Sequence, residues 1–89
     1  MEDINRKILE AFCTVANRIK KTGFTPDALT PETYLGGELG IDSIEMLEIW
    51  YDMEQALGIH IDDDSKRDIY TVGETVEMVA GIMTAAVPA

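Results

Sequence analysis

Ile4, Ile8, Phe12, Val15 and Ile19 are separated by steps of four, four, three and four residues. On a helix that spacing lays all five along one stripe, which must be buried against something else. No convincing run of period-two alternation, the mark of a half-buried strand, occurs anywhere in the chain. The first helix is predicted from about Glu2 to Lys21. Lys20 and Lys21 fall in its last turn, where cations complement the helix dipole, and Gly23 follows as a stop.

Glycine and proline divide the remainder at Gly23 to Pro26, Gly36-Gly37, Gly58, Gly73 and Pro88. A long loop runs to Asp42. Within it Thr30-Pro31-Glu32 reads as a short helical turn, with Thr30 as cap and Pro31 in the first helical position. A second helix is predicted over Ser43–Leu57, with Asp42 as N-cap, Glu45 three residues on, and Gly58 as its end. Met46, Trp50, Met53 and Leu57 form its apolar face, flanked by Leu47 and Ile49. Glu45, Glu48, Asp52 and Gln55 line the side nearly opposite. Glu54 projects between Leu47 and Trp50 and is expected to reach water from the end of the buried face. A short third helix is predicted over Ser65–Tyr70. The last helix opens on Thr71-Val72-Gly73-Glu74, a capping box, and buries Val72, Val76, Val79, Ile82, Met83 and Ala86. The expected fold is all-α: a small four-helix bundle over residues 1–89, three main helices and one short third, with a long loop between the first two.

Charge narrows the function. The 89 residues carry 17 acids and 7 bases, a net charge of −10, while 46% of the side chains are apolar, too many for a disordered acidic tail. Residues 1–21 hold five bases against three acids, a net of +2; residues 22–89 hold two against fourteen, a net of −12. A nucleic-acid backbone or an anionic membrane would repel this surface, so basic protein surfaces are the expected partners. The lone cysteine, Cys13, falls off the first helix's stripe and has no internal partner. That suits a reducing compartment. No apolar run is long enough to span a membrane, and Met1-Glu2-Asp3 does not read as a signal peptide; a cytoplasmic monomer is expected. Met46, Met53, Met78 and Met83 read as core filler. Asp62-Asp63-Asp64-Ser65 fails as a calcium loop, because Arg67 stands where glycine is needed and Gly73 where glutamate is; it reads instead as an acidic cap. No metal site is expected, and His60 reads as a loop residue.

The stretch that bears chemistry is Leu39-Gly40-Ile41-Asp42-Ser43-Ile44. Gly40 permits a tight turn, and Asp42 caps the helix and leaves Ser43 in its first turn, beside the loop and at the positive end of the helix dipole. That position suits a phosphodiester-linked group better than a nucleophile. A nucleophile elbow needs glycine two residues after the serine, where this chain has Glu45, and a triad needs a base held by a third group. No catalytic residue is assigned.

This stretch resembles the LGxDS(L/I) attachment motif of the acyl carrier protein family. The likeness extends to Glu45 and Glu48 after the serine, to Tyr70-Thr71-Val72-Gly73-Glu74-Thr75-Val76 beside the family's aromatic-TVGDLV, and to the helix order over nearly the whole chain. It implies that Ser43 bears 4′-phosphopantetheine, transferred from coenzyme A by a phosphopantetheinyl transferase. The arm's thiol would hold acyl groups as thioesters for delivery to loading ligases, synthases or transferases. Asp42 and Ile44 would touch the transferase. Glu45, Glu48 and Asp52 would meet basic partner residues, and Tyr51 and Ile61 would add apolar contact at the rim. Fatty-acid, polyketide and nonribosomal routes all remain open. So do a free-standing aminoacyl or aryl carrier and, from another class, an unmodified acidic adaptor. Trp50 and Tyr51 are bulky for this family's second helix, which points to short or aromatic cargo. Gly36-Gly37 and the basic first helix have no assigned role.

Overall fold

The structure, a computed structural model, describes residues 2–86. Its helices are α1 (Glu2–Lys20), α2 (Ser43–Leu57) and α3 (Val72–Ala86), with a single 3₁₀ turn at Pro26–Ala28. The expected burial of the Ala86 side chain and the stop at Pro88 lie outside the described residues.

Local chemistry sets the helix ends. α1 stops at Lys20 because Lys21 takes the left-handed conformation (φ 57), and the Thr22 amide donates back to the Asn17 carbonyl at 3.1 Å. The Asn17 side chain then clamps the outgoing strand of chain. Its Nδ2 donates to the Phe24 carbonyl at 2.8 Å, and its Oδ1 accepts from the Phe24 amide at 2.7 Å. α2 begins with a full capping box. The Glu45 amide donates to Asp42 Oδ1 at 2.8 Å, and the Asp42 amide donates to Glu45 Oε1 at 3.0 Å. Gly58 ends α2 at φ 67, a left-handed position that costs glycine little. α3 repeats the device: the Glu74 amide donates to Thr71 Oγ1 at 3.1 Å, and Glu74 Oε1 accepts from the Thr71 and Tyr70 amides at 3.1 and 2.8 Å.

α1 is the common wall of the bundle and packs on both α2 and α3; among the described residues, no Cα of α2 comes within 8 Å of a Cα of α3. The buried core joins Ile8, Phe12, Val15 and Ala16 of α1 to Ile49, Trp50 and Met53 of α2 and Val72 and Val79 of α3. Leu35, Ile41 and Ile61, from the connecting segments, complete it. Met53 is fully buried and Met46, Met78 and Met83 pack against the core, as their spacing predicts.

Several expectations are corrected. The proposed short third helix is absent: residues 63–68 form successive turns, with Lys66 and Arg67 amides donating to the Asp63 and Asp64 carbonyls at 3.2 and 3.3 Å. Asp68, at φ 58, stops these turns from propagating, so the bundle has three helices. Asp62 does cap this segment, accepting from the Ser65 amide at 2.8 Å, and that bond holds its carboxyl below the usual range. A turn does form at Thr30-Pro31-Glu32, closed by the Thr33 amide donating to the Thr30 carbonyl at 3.0 Å, but it is a single turn; the 3₁₀ turn lies earlier, after Thr25, with Pro26 in its first position. The Pro31 carbonyl accepts from the Gly73 amide at 2.9 Å. Cys13 is not off the core but buried in it, and burial raises its thiol pKa. Glu54 does not reach out to water. Its side chain is only 14% exposed, and Oε2 accepts from the Ile61 amide at 2.6 Å. Ile61, expected at a docking rim, is itself buried. A buried amide must find an acceptor, and Glu54 supplies it.

The long loop is pinned rather than loose. Tyr34 and Thr71 form an isolated antiparallel bridge, flanked by bonds from the Leu35 amide to the Tyr70 carbonyl (2.8 Å) and from the Val72 amide to the Thr33 carbonyl (2.9 Å). These bonds fix the approach to Ser43.

Candidate functional site

Ser43 is exposed at the first position of α2. Three features hold it there. Gly40 turns the chain at φ 71. Ile41, nearly fully buried, anchors the residue but one before the serine, and its amide donates to the Leu35 carbonyl at 3.0 Å. Asp42 closes the capping box. The serine therefore stands on a rigid pedestal with its hydroxyl in water, where the unpaired amides of the first turn favour an anionic oxygen.

The acids named from the sequence separate into two groups. Lys20 Nζ donates to Glu45 Oε1 and Oε2 at 3.0 and 3.2 Å and to the Gly40 carbonyl at 2.8 Å. Arg18 pairs with Asp52 at 2.7 Å. Glu45 and Asp52 thus lie against the basic end of α1, and this gives the net-positive first helix a structural use. Glu48 is exposed and has no ion pair among the described residues.

The outward face of α2 is apolar. Ile44 (73% exposed), Leu47 (61%) and Tyr51 (60%) follow one another at steps of three and four from beside Ser43. Leu47, expected beside the core, lies outside instead; it shares the helical spacing of Ile44 and Tyr51, two residues expected outside.

An open cleft of about 440 Å³ starts at Ser43 and runs between the loop, α2 and the 65–70 turns. Trp50, Met46 and Ile69 line it, with the exposed rings of Tyr34 and Tyr70 at its edge and Gly36-Gly37 along one side. A larger groove of about 700 Å³ lies between α1, α3 and Pro31 and includes no residue of the Ser43 segment. Position relative to Ser43, not volume, singles out the smaller cleft. Among the described residues no cluster of acids, histidines or cysteines is arranged to hold a metal ion. The lone histidine, His60, follows the far end of α2, about 22 Å along the helix from Ser43. It lies 3.5 Å from Glu54.

Ser43 is thus exposed at a helix start, and the chain's only histidine stands a helix length away from it. The chain belongs to the phosphopantetheine attachment site family, whose model matches residues 6–81. It is 32% identical over 76 residues to the acyl carrier protein of Renibacterium salmoninarum, covering 85% of this chain and 91% of that one. It is 31% identical over 77 residues to that of Amoebophilus asiaticus, covering 86% and 89%. Against that of Desulforapulum autotrophicum it is 35% identical over 60 residues, covering 67% and 78%. The family is one of carriers, not catalysts, which bear a covalent 4′-phosphopantetheine and work with biosynthetic enzymes and a phosphopantetheinyl transferase. The exposed hydroxyl and open cleft fit such an arm. No described helix is long and apolar enough to cross a membrane.

Proposed function

We propose that Ser43 carries the arm, and that the chain, folded as one domain in the cytoplasm, holds acyl groups as thioesters and passes them between enzymes. The observation that supports this most is the pedestal: an exposed serine at the first position of a capped helix, at the mouth of a cleft. In the transfer, Ser43 Oγ bonds to the phosphorus bearing the pantetheine and the pyrophosphate bond of coenzyme A breaks. Adenosine 3′,5′-bisphosphate leaves, and the serine proton passes to a base on the transferase.

Asp42 and Ile44 flank the serine and meet the transferase. The docking face for downstream enzymes is the ridge of Ile44, Leu47 and Tyr51 with Glu48 beside it, and Glu45 and Asp52 at its margin. Ile61, buried, is not part of it. Trp50 fills space between the helices, which supports short or aromatic cargo of specialised pathways over long fatty chains. The unpaired Cys13 suits a reducing cytoplasm.

The test is incubation with coenzyme A, Mg²⁺ and a permissive transferase, followed by intact-mass measurement. A gain of one phosphopantetheine in the wild type and none in Ser43→Ala is the expected result. An unchanged wild-type mass leaves the unmodified adaptor as the answer. Loading the thiol with acyl groups of graded length and following core methyl signals tests the cargo: a shift with an eight-carbon chain overturns the short-cargo reading.

A further inference from the structure

Lys66 is the only base lining the cleft beside Ser43, and Asp42 is the only acid. Asp42 already accepts the Glu45 amide. Lys66 is as covered as Lys20 but lacks so close an ion pair. Its side chain is only 21% exposed, although a strongly hydrated ammonium on a flexible stem ordinarily extends into water. Its nearest acid is Asp63, at 3.5 Å, on a side chain that is itself 97% exposed. The other bases of the bundle's working face are engaged more closely: Arg18 by Asp52 at 2.7 Å and Lys20 by Glu45 at 3.0 Å. Lys66 therefore lies along the cleft with its positive charge loosely satisfied.

An anion entering this cleft meets the field of a segment with a net charge of −12 (two bases against fourteen acids). Such a field repels it unless a local cation compensates. The surrounding Trp50, Met46, Ile69, Tyr34 and Tyr70 offer no positive charge. We propose that Lys66 is the anion receptor of the cleft and binds a negatively charged oxygen brought by the arm. This rests on the reading that Ser43 bears that arm. Two sources share the chemistry: the phosphodiester on Ser43, present in every loaded state, or a free carboxylate at the end of a dicarboxylic cargo.

Four samples separate them: the unmodified protein, the protein with the bare arm, and the arm carrying butyryl or succinyl through a hydrolysis-resistant amide. Mass confirms each loading, and the Lys66 ε-methylene resonance is followed by NMR. A shift on adding the bare arm, with the ³¹P signal of the phosphodiester moving in Lys66→Met but not in the remote Lys7→Met, assigns the phosphodiester. A shift appearing with succinyl and not with butyryl assigns the carboxylate. An unchanged Lys66 resonance in all four samples overturns the proposal, as do equal shifts with butyryl and succinyl after none with the bare arm. Failure of the arm to attach is read separately from mass and overturns the Ser43 reading on which the proposal stands.

Discussion

Lys20 Nζ sits 3.0 Å from Glu45 Oε1, the same oxygen that accepts the Asp42 amide in the cap of α2. The last turn of α1 is thereby tied to the first turn of α2, and the Gly40 carbonyl, 2.8 Å from the same ammonium, is tied in with them. One lysine thus braces the turn before Ser43 and the cap after it. Both side chains are about three-quarters covered, so screening is partial but not negligible. Lys20→Met is expected to lower stability by about 1 kcal/mol, near the top of the range for a pair with some solvent contact. Urea unfolding checks the loss, which should shrink at high salt. Faster amide exchange at Gly40 and Ile41 should accompany it.

Arg18 and Asp52 make the second tie between these helices, at 2.7 Å. Arg18 is well exposed, so removing it costs the fold little, and it uncovers a carboxylate at the margin of the proposed docking face. Arg18→Gln is expected to speed association with a basic partner enzyme and to steepen its salt dependence, because exposed charge acts on encounter more than on residence. Stopped-flow binding at two ionic strengths measures both. Glu48→Lys should act in the opposite sense on the same assay.

How far the residues alone could lead is clear from comparing the caps with the connections. The starts of α2 and α3 were legible because Asp42 with Glu45, and Thr71 with Glu74, are local pairs three residues apart whose bonds need no tertiary partner. The exposed position of Ser43 follows from the same local cap. The burial of Glu54, Ile61 and Cys13 is not legible because it depends on packing outside their own local turns. Ile61 returns over the end of α2, and only that return turns Glu54 from a misplaced acid into the acceptor for a buried amide. The role of the basic first helix was hidden similarly: it appears only when Arg18 and Lys20 are set against residues 34 and 25 positions later.

Gly73 shows how the loop and α3 fit together. A Cβ there would stand 2.8 Å from both the Cβ and the carbonyl oxygen of Pro31, whose carbonyl accepts the Gly73 amide at 2.9 Å. In an open helix, replacing glycine by alanine stabilises by about 1 kcal/mol. Here the added methyl group meets backbone that is held in place, and the overpacking cost of about 1–3 kcal/mol outweighs that gain. Gly73→Ala is expected to be destabilising and to loosen the Tyr34–Thr71 bridge. Gly81, where an added Cβ would have nothing within 4 Å, is the control, and Gly81→Ala should raise the melting temperature.

Glu74 couples the same junction to pH. Its carboxylate accepts the Tyr70 and Thr71 amides, and those two bonds hold its pKa below the ordinary glutamate range. Because the folded pKa is depressed relative to the unfolded chain, the stabilisation is fully present above the unfolded value. It is lost as pH falls through the folded one. Asp62, lowered by its bond from the Ser65 amide, adds in the same direction. Melting temperature should therefore fall on acidification through the carboxylate range. Glu74→Gln should flatten that limb, with the two curves well apart near neutrality and converging in acid. Parallel curves at all pH values would show that the cap bonds do not depend on the charge.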